Sequence, residues 1–409
     1  MKLWIKYVLG IALGIIAAFV LPVSSPALQN AVDFLSDLAI RFGRYTLLPL
    51  LFFTVAYAVY RLRTNKMLTK TYLWLAVVLL LSSLLLTLLG LASSLLVRLP
   101  RIPIPSEPTP ELAAIDVKAL LLRLVPYSSF ATLHDGAYLL PALIFAALAG
   151  AGCASNQTTF KPVITLFEAA AKLCYAIMSF FLEFLMVAMI AVACCWTLKA
   201  RVTFATGTFV PLTALLLADF VLIAVVIYPL ILYIGCKERH PYKVLYASLC
   251  PIITAFFSGD ANLALLVNLK HGRDSLGIHR RVNGVTYPLF AVFARGGSAL
   301  VTTICFTMIL RSYSKLGFNA GDLLWISSMT FALSFLSCAI PSGGAFVMLT
   351  IMCTSYGRGF DDGYQLLRVA APLCCSFAAA FDAATAMFGS YFVAVKMRAV
   401  EHVALKHYV

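Results

Sequence analysis

Apolar runs of about twenty residues recur along this chain, and they constrain its fold more than any other feature. The first three cover residues 4–23, 38–60 and 73–97, and further stretches cover 138–151, 163–198 and 209–236. A helix of roughly 20 residues crosses the ~30 Å hydrocarbon core of a bilayer. Composition points the same way. Hydrophobic residues make up 62% of the 409 and charged residues 12%, whereas soluble domains are about half apolar and about a quarter charged. A soluble core has no room for so much apolar surface. The expectation is an all-α polytopic membrane protein.

The formal net charge of +14 is clustered between the spans. Lys2 and Lys6 precede the first run, and Arg61, Arg63, Lys66 and Lys70 follow the second. Lys237, Arg239 and Lys243 form a third group, Lys270, Arg273, Arg280 and Arg281 a fourth, and Lys396, Arg398 and Lys406 end the chain. Basic residues in short loops mark the cytoplasmic side, which places both termini there and the chain in a cell (inner) membrane. Charge set between apolar spans does not form a nucleic-acid-binding face. The eleven cysteines lie mostly within apolar runs, without zinc or disulfide spacing, and read as small core residues. The first run reads as a retained helix, since Pro22-Val23-Ser24 is a weak cleavage site. A Pro-rich outer segment (Pro100, Pro103, Pro105, Pro108, Pro110) is not helical throughout.

The C-terminal part is patterned differently. Residues 246–269 are interrupted at Ser258-Gly259-Asp260, and residues 323–355 at Ile340-Pro341-Ser342-Gly343-Gly344. Each half is too short to cross a bilayer. Two re-entrant hairpins are the economical reading, each followed by a long span (284–310 and 369–395). This hairpin–span–hairpin–span order is a coarse internal repeat, and paired Gly/Pro-interrupted segments point to a transporter binding site. Irregular backbone at membrane depth must line a cavity or be buried, so the two breaks are expected to meet near the midplane. Two ordinary spans with tolerated glycines are the plainer alternative.

Three charges fall where charge is costly: Asp260 at a hairpin tip, and Arg295 and Asp382 within spans. At about 2.5–3.5 kcal/mol each they are functional candidates, read here as one cation between two anions, against the plainer reading of a packing ion pair. Glu168 and Lys172 are spaced for a local pair. Arg41 and Arg44 are placed to snorkel. Glu183 and Asp219 fit either packing or a proton path.

The order of segments resembles the glutamate-transporter family of amino-acid and dicarboxylate:cation symporters. Residues 6–14, 43–53 with Pro49, and 138–150 are similar to its first, second and fourth helices. Thr286-Tyr287-Pro288-Leu289, Gly297-Ser298-Ala299-Leu300 and Ile340-Pro341-Ser342-Gly343-Gly344-Ala345 resemble its seventh span and second hairpin tip. The resemblance implies eight transmembrane helices with two hairpins, no enzymatic activity, no cofactor, and a homotrimer. It implies elevator-type movement of a core transport domain (residues 237–409, both hairpins with spans 7 and 8) against a scaffold within the N-terminal spans (1–236), which also contribute part of the transport domain. The implied substrate residues are Ser258, Gly259, Asp260, Arg295, Ser298, Ile340, Pro341, Gly344, Asp382 and Thr385, with Ser334 and Ser337 as possible sodium ligands.

The departures are informative. The family's first tip is serine-rich, whereas this one reads Phe257-Ser258-Gly259-Asp260. Its Asn-Met-Asp-Gly-Thr motif is replaced by Ala294-Arg295-Gly296-Gly297-Ser298. Asp382 matches the aspartate that binds a substrate amino group. Thr385 stands where carriers of acidic amino acids have arginine, and Gly389 and Val393 where the family has Asn and a sodium-binding Asp. Arg295 therefore either replaces a coupling cation or grips a substrate carboxylate. The leading expectation is a secondary active transporter of an amino acid or small dicarboxylate, coupled to sodium or protons. A sensor or channel that has lost sodium coupling is the second. An intramembrane aspartyl protease using Asp260 and Asp382 is the third, opposed by Arg295, which would keep both carboxylates ionised.

Overall fold

The computed structural model describes residues 2–21, 26–102, 138–205, 207–313, 319–339, 343–357 and 362–404, with isolated positions besides. Its regular elements there are helical, apart from one isolated bridge between Ile278 and Val400. The N-terminal part comprises α1 (Leu3–Val20), α2 (Pro26–Arg44), α3 (Leu47–Thr64), α4 (Leu68–Leu96), α5 (Leu139–Cys153) and α6 (Lys161–Ala205). Next come α7 (Val210–Val221), a π-helical turn (Leu222–Ile227) and α8 (Tyr228–Cys236). The turn abuts Pro229, which has no N–H to continue the α-helical ladder. The C-terminal part comprises α9 (Tyr242–Ser258), α10 (Ala261–Asp274), α11 (Arg280–Phe293), α12 (Gly296–Tyr313), α13 (Ala320–Leu336), α14 (Gly344–Tyr356) and α15 (Ala371–Lys396).

Seven segments among the described residues are long and apolar enough to cross a membrane. Their burial separates core from rim. The most apolar windows of Arg280–Tyr313 and Ala371–Lys396 are 89% and 83% buried, against 33% for Leu3–Val20 and Leu68–Leu96. Thus α11, α12 and α15 form the centre, and α1 and α4 present apolar side chains outward, as expected of helices solvated by lipid. The remaining apolar helices, α5, α9, α13 and α14, have 10–17 residues each.

Several expectations are corrected. The second run is two helices, with a turn at Tyr45 and Thr46 between α2 and α3. Asp33 and Asp37 lie within α2, and Asp33 pairs with Lys199 at 3.0 Å. The run at 284–310 is not one helix, because α11 stops at Phe293 and α12 restarts at Gly296. Glu168 and Lys172 form the expected local pair at 2.7 Å. Glu183 pairs with Lys6 and lies 3.9 Å from Lys270. Most of the Pro-rich segment, and Ile340, Pro341 and Ser342, lie outside the described residues.

Candidate functional site

The break in the first helix pair closes on itself. Gly259 ends α9 with φ +62°, a left-handed conformation that glycine adopts without a Cβ penalty. Asp260 then caps α10, its Oδ1 accepting the Asn262 amide at 2.9 Å. The Asp260 amide in turn donates to Ser258 Oγ at 3.2 Å.

The second element is the break between α11 and α12. Ala294 leaves the helix with ψ 62°, and Arg295 follows. The new helix exposes its first amides, and Asp382 of α15 caps them from across the core. Gly297 N and Ser298 N donate to its Oδ1 at 2.8 and 3.3 Å, and Ser298 Oγ donates to Oδ2 at 2.9 Å. A carboxylate at a helix N-terminus meets both unpaired donors and the positive end of the helix dipole. Arg295 Nη1 lies 3.7 Å from the same Oδ2. A Cβ at position 297 would come within 2.2 Å of Phe381 Cβ, so only glycine lets α12 approach α15 this closely.

These two breaks and the start of α14 line a nearly closed crevice of about 10 Å³, whose wall includes Gly259, Asp260, Arg295, Ser298, Gly344 and Asp382. Asp260, Arg295 and Asp382 are 4%, 8% and 4% exposed. The expected arrangement of one cation between two anions is corrected. Asp260 pairs with Arg44 of α2 at 3.3 Å, leaving Arg295 to Asp382. Arg44 therefore does not snorkel to headgroups, because its guanidinium is drawn to the buried carboxylate.

Among the described residues, Arg44 Nη2, Arg295 Nε and Asp260 Oδ2 are buried without a hydrogen-bond partner. Such atoms are uncommon and call for an explanation. Ser258, the remaining described residue of the predicted set at the first tip, directs its hydroxyl to Thr254 O at 2.7 Å. Thr385 lies away from the crevice, with its hydroxyl 2.6 Å from Tyr228 on the wall of a separate apolar groove. The hydroxyls of Ser334 and Ser337 bond back to Phe331 O and Leu333 O of their own segment, at 2.7 and 3.0 Å. Arg44 and Gly297 were not singled out as site residues. For Gly297 the signal was available, since Gly-Gly-Ser directly after an isolated charge is compatible with a helix restarting. For Arg44 the partner is more than two hundred residues away in sequence, and spacing carries no such information.

A multi-pass helical protein with a small polar crevice among interrupted helices in its core belongs to the class of membrane transporters. The family is then specific: the chain belongs to the sodium:dicarboxylate symporter family, whose model matches residues 3–396. This is a family of transporters and not of enzymes, which removes the protease reading.

Proposed function

We propose that the chain is a secondary active transporter of a small carboxylate anion, with Arg295 as the fixed cation that receives the substrate. The observation that carries this reading is the unpartnered Arg295 Nε on the crevice wall, beside a carboxylate already engaged elsewhere. Asp382 accepts three hydrogen bonds from the start of α12. It is poorly placed to receive a substrate amino group as well. A guanidinium stays charged when buried and offers donors matched to a carboxylate. A sodium ion bound beside Arg295 would meet like charge in a low-dielectric site. Uptake is therefore expected to depend only weakly on sodium. The test is uptake of labelled succinate, aspartate and alanine into proteoliposomes, with sodium and proton gradients imposed separately. Steep sodium dependence, or a preference for alanine, overturns the reading.

Elevator movement of the two helix pairs with α11, α12 and α15, against a scaffold that includes α2 and a homotrimeric contact, is part of the same proposal. The Arg44–Asp260 pair would then join scaffold to moving part, and it must break in each cycle. Arg44→Gln is expected to shift the conformational equilibrium by about 1 kcal/mol, the scale of a partly buried pair. Energy transfer between dyes on α2 and α10 reports this shift, and an unchanged distance distribution removes Arg44 from the role.

The start of α14 lies at the crevice with little to spare. A Cβ on Gly344 would stand 3.7 Å from Ser298 Oγ, which is ordinary contact. Gly344→Ala should retain uptake, whereas Gly344→Trp should fill the crevice and abolish it. Normal uptake by the tryptophan variant would show that substrate does not pass this point.

A further inference from the structure

An apolar groove of about 730 Å³ runs between α4, α8 and α15, outside the crevice described above. Its walls include Trp74, Leu81, Leu85, Tyr228, Thr385 and Phe392. The α4 wall belongs to a rim helix, and Leu80, Leu81, Leu84 and Leu88 on it are 50%, 61%, 43% and 49% exposed. In a membrane this groove opens onto lipid.

Its inner end is apolar in effect although two hydroxyls are there. Thr385 Oγ1 donates to Phe381 O at 2.7 Å, so the Tyr228 hydroxyl, 2.6 Å away, donates to Thr385. Both groups are satisfied within the protein, and nothing polar is needed from an occupant. The other end is basic. Lys396 Nζ donates to Gly235 O at 2.6 Å and lies over the rings of Trp74 and Phe392, at 5.3 and 5.4 Å from their centroids. An ammonium has three donors, and this contact uses one. Lys70 stands in the first turn of α4, four residues before Trp74 and so on the same helix face. Lys237 ends α8. Lys396 is thus placed at this end by its contacts, Lys70 by the register of α4, and Lys237 by its position two residues past the Gly235 carbonyl that Lys396 holds; the latter two are exposed. Glu238, the acid beside Lys237, is already held by the Tyr391 hydroxyl at 2.7 Å and by Lys243 at 3.1 Å.

We propose that this groove binds one anionic phospholipid, with its phosphate at Lys396, Lys70 and Lys237 and one acyl chain lying along the groove as far as Thr385. Length supports that occupant. The eleven residues from Thr385 to Lys396 rise about 16 Å along α15, close to the ~15 Å hydrocarbon depth of one leaflet. Anionic headgroups are drawn to basic residues at the membrane surface. The chain end would lie one helical turn from Asp382, so the lipid would press on the helix that caps α12. This inference rests on membrane embedding and is independent of the substrate reading.

The test is native mass spectrometry of the full chain in detergent, titrated with phosphatidylglycerol or with phosphatidylcholine of the same chain length. Phosphatidylglycerol should bind about tenfold more tightly. The combined Lys70→Gln, Lys237→Gln and Lys396→Gln variant should erase that preference. Leu81→Trp, which fills the groove from its lipid-facing wall, should weaken phosphatidylglycerol retention with the lysines intact. Leu81 is exposed, so this variant should fold, and an unchanged melting temperature verifies it. Equal affinity for the two lipids, or full retention by Leu81→Trp, overturns the proposal. The second result would leave only diffuse attraction to surface lysines.

Discussion

Asp382→Ala should destabilise the protein by about 3–5 kcal/mol, the range for removing one partner of a buried ion pair. The loss has two parts. Arg295, 8% exposed, is left as an uncompensated buried cation, and the Gly297 and Ser298 amides lose their acceptor. Asp382→Asn separates the two, because its amide oxygen can still accept from α12 while the charge is gone. The asparagine variant should therefore fall between the parent and the alanine variant. The combined change Arg295→Met with Asp382→Leu should recover much of the stability, since apolar replacement of a whole buried pair is often close to neutral. Thermal unfolding of the detergent-solubilised protein measures all four. An alanine variant as stable as the parent would contradict the cap and the pair together.

The same residues show what the sequence could and could not reveal. The long spans were legible because about twenty predominantly apolar residues have one physical outcome in lipid, as in α4. The tip at Ser258-Gly259-Asp260 was legible because a left-handed glycine followed by an aspartate at an N-cap is a local arrangement with local causes. The restart at Gly296 was not read from the run at 284–310: Gly296-Gly297-Ser298 permits a restart, but what causes it is tertiary. Asp382, more than eighty residues downstream, supplies the cap that makes the break affordable. Pairing was the least legible property. Three buried charges were recognised as costly, but Arg44, partly buried beside one of them, was assigned to headgroups, and the ion pairs were misallocated as a result. Thr385 illustrates the limit of spacing. Three residues from Asp382 it is near the same face of α15, yet a hydroxyl contact with Tyr228 turns it to the groove.

Arg295→Met should cost carboxylate substrates tenfold or more in affinity, the low end for a charged hydrogen bond of about 1.5–3 kcal/mol. Substrate preference should shift away from dicarboxylates at the same time. Lost stability complicates a simple reading, because methionine also leaves Asp382 without its cation. Arg295→Lys resolves this. A lysine keeps the positive charge near Asp382 and so should retain most of the stability, but it lacks the planar fork that meets a carboxylate with two donors. If Arg295 anchors substrate, the lysine variant should melt near the parent and still bind dicarboxylate weakly. If Arg295 instead stands in for a coupling cation, charge alone is what counts. The lysine variant should then transport normally, and the methionine variant should keep its substrate preference while acquiring sodium dependence. Uptake competition among succinate, aspartate and alanine, with sodium present and absent, distinguishes the two roles in one experiment. Preserved dicarboxylate preference in Arg295→Met would be decisive against the anchor.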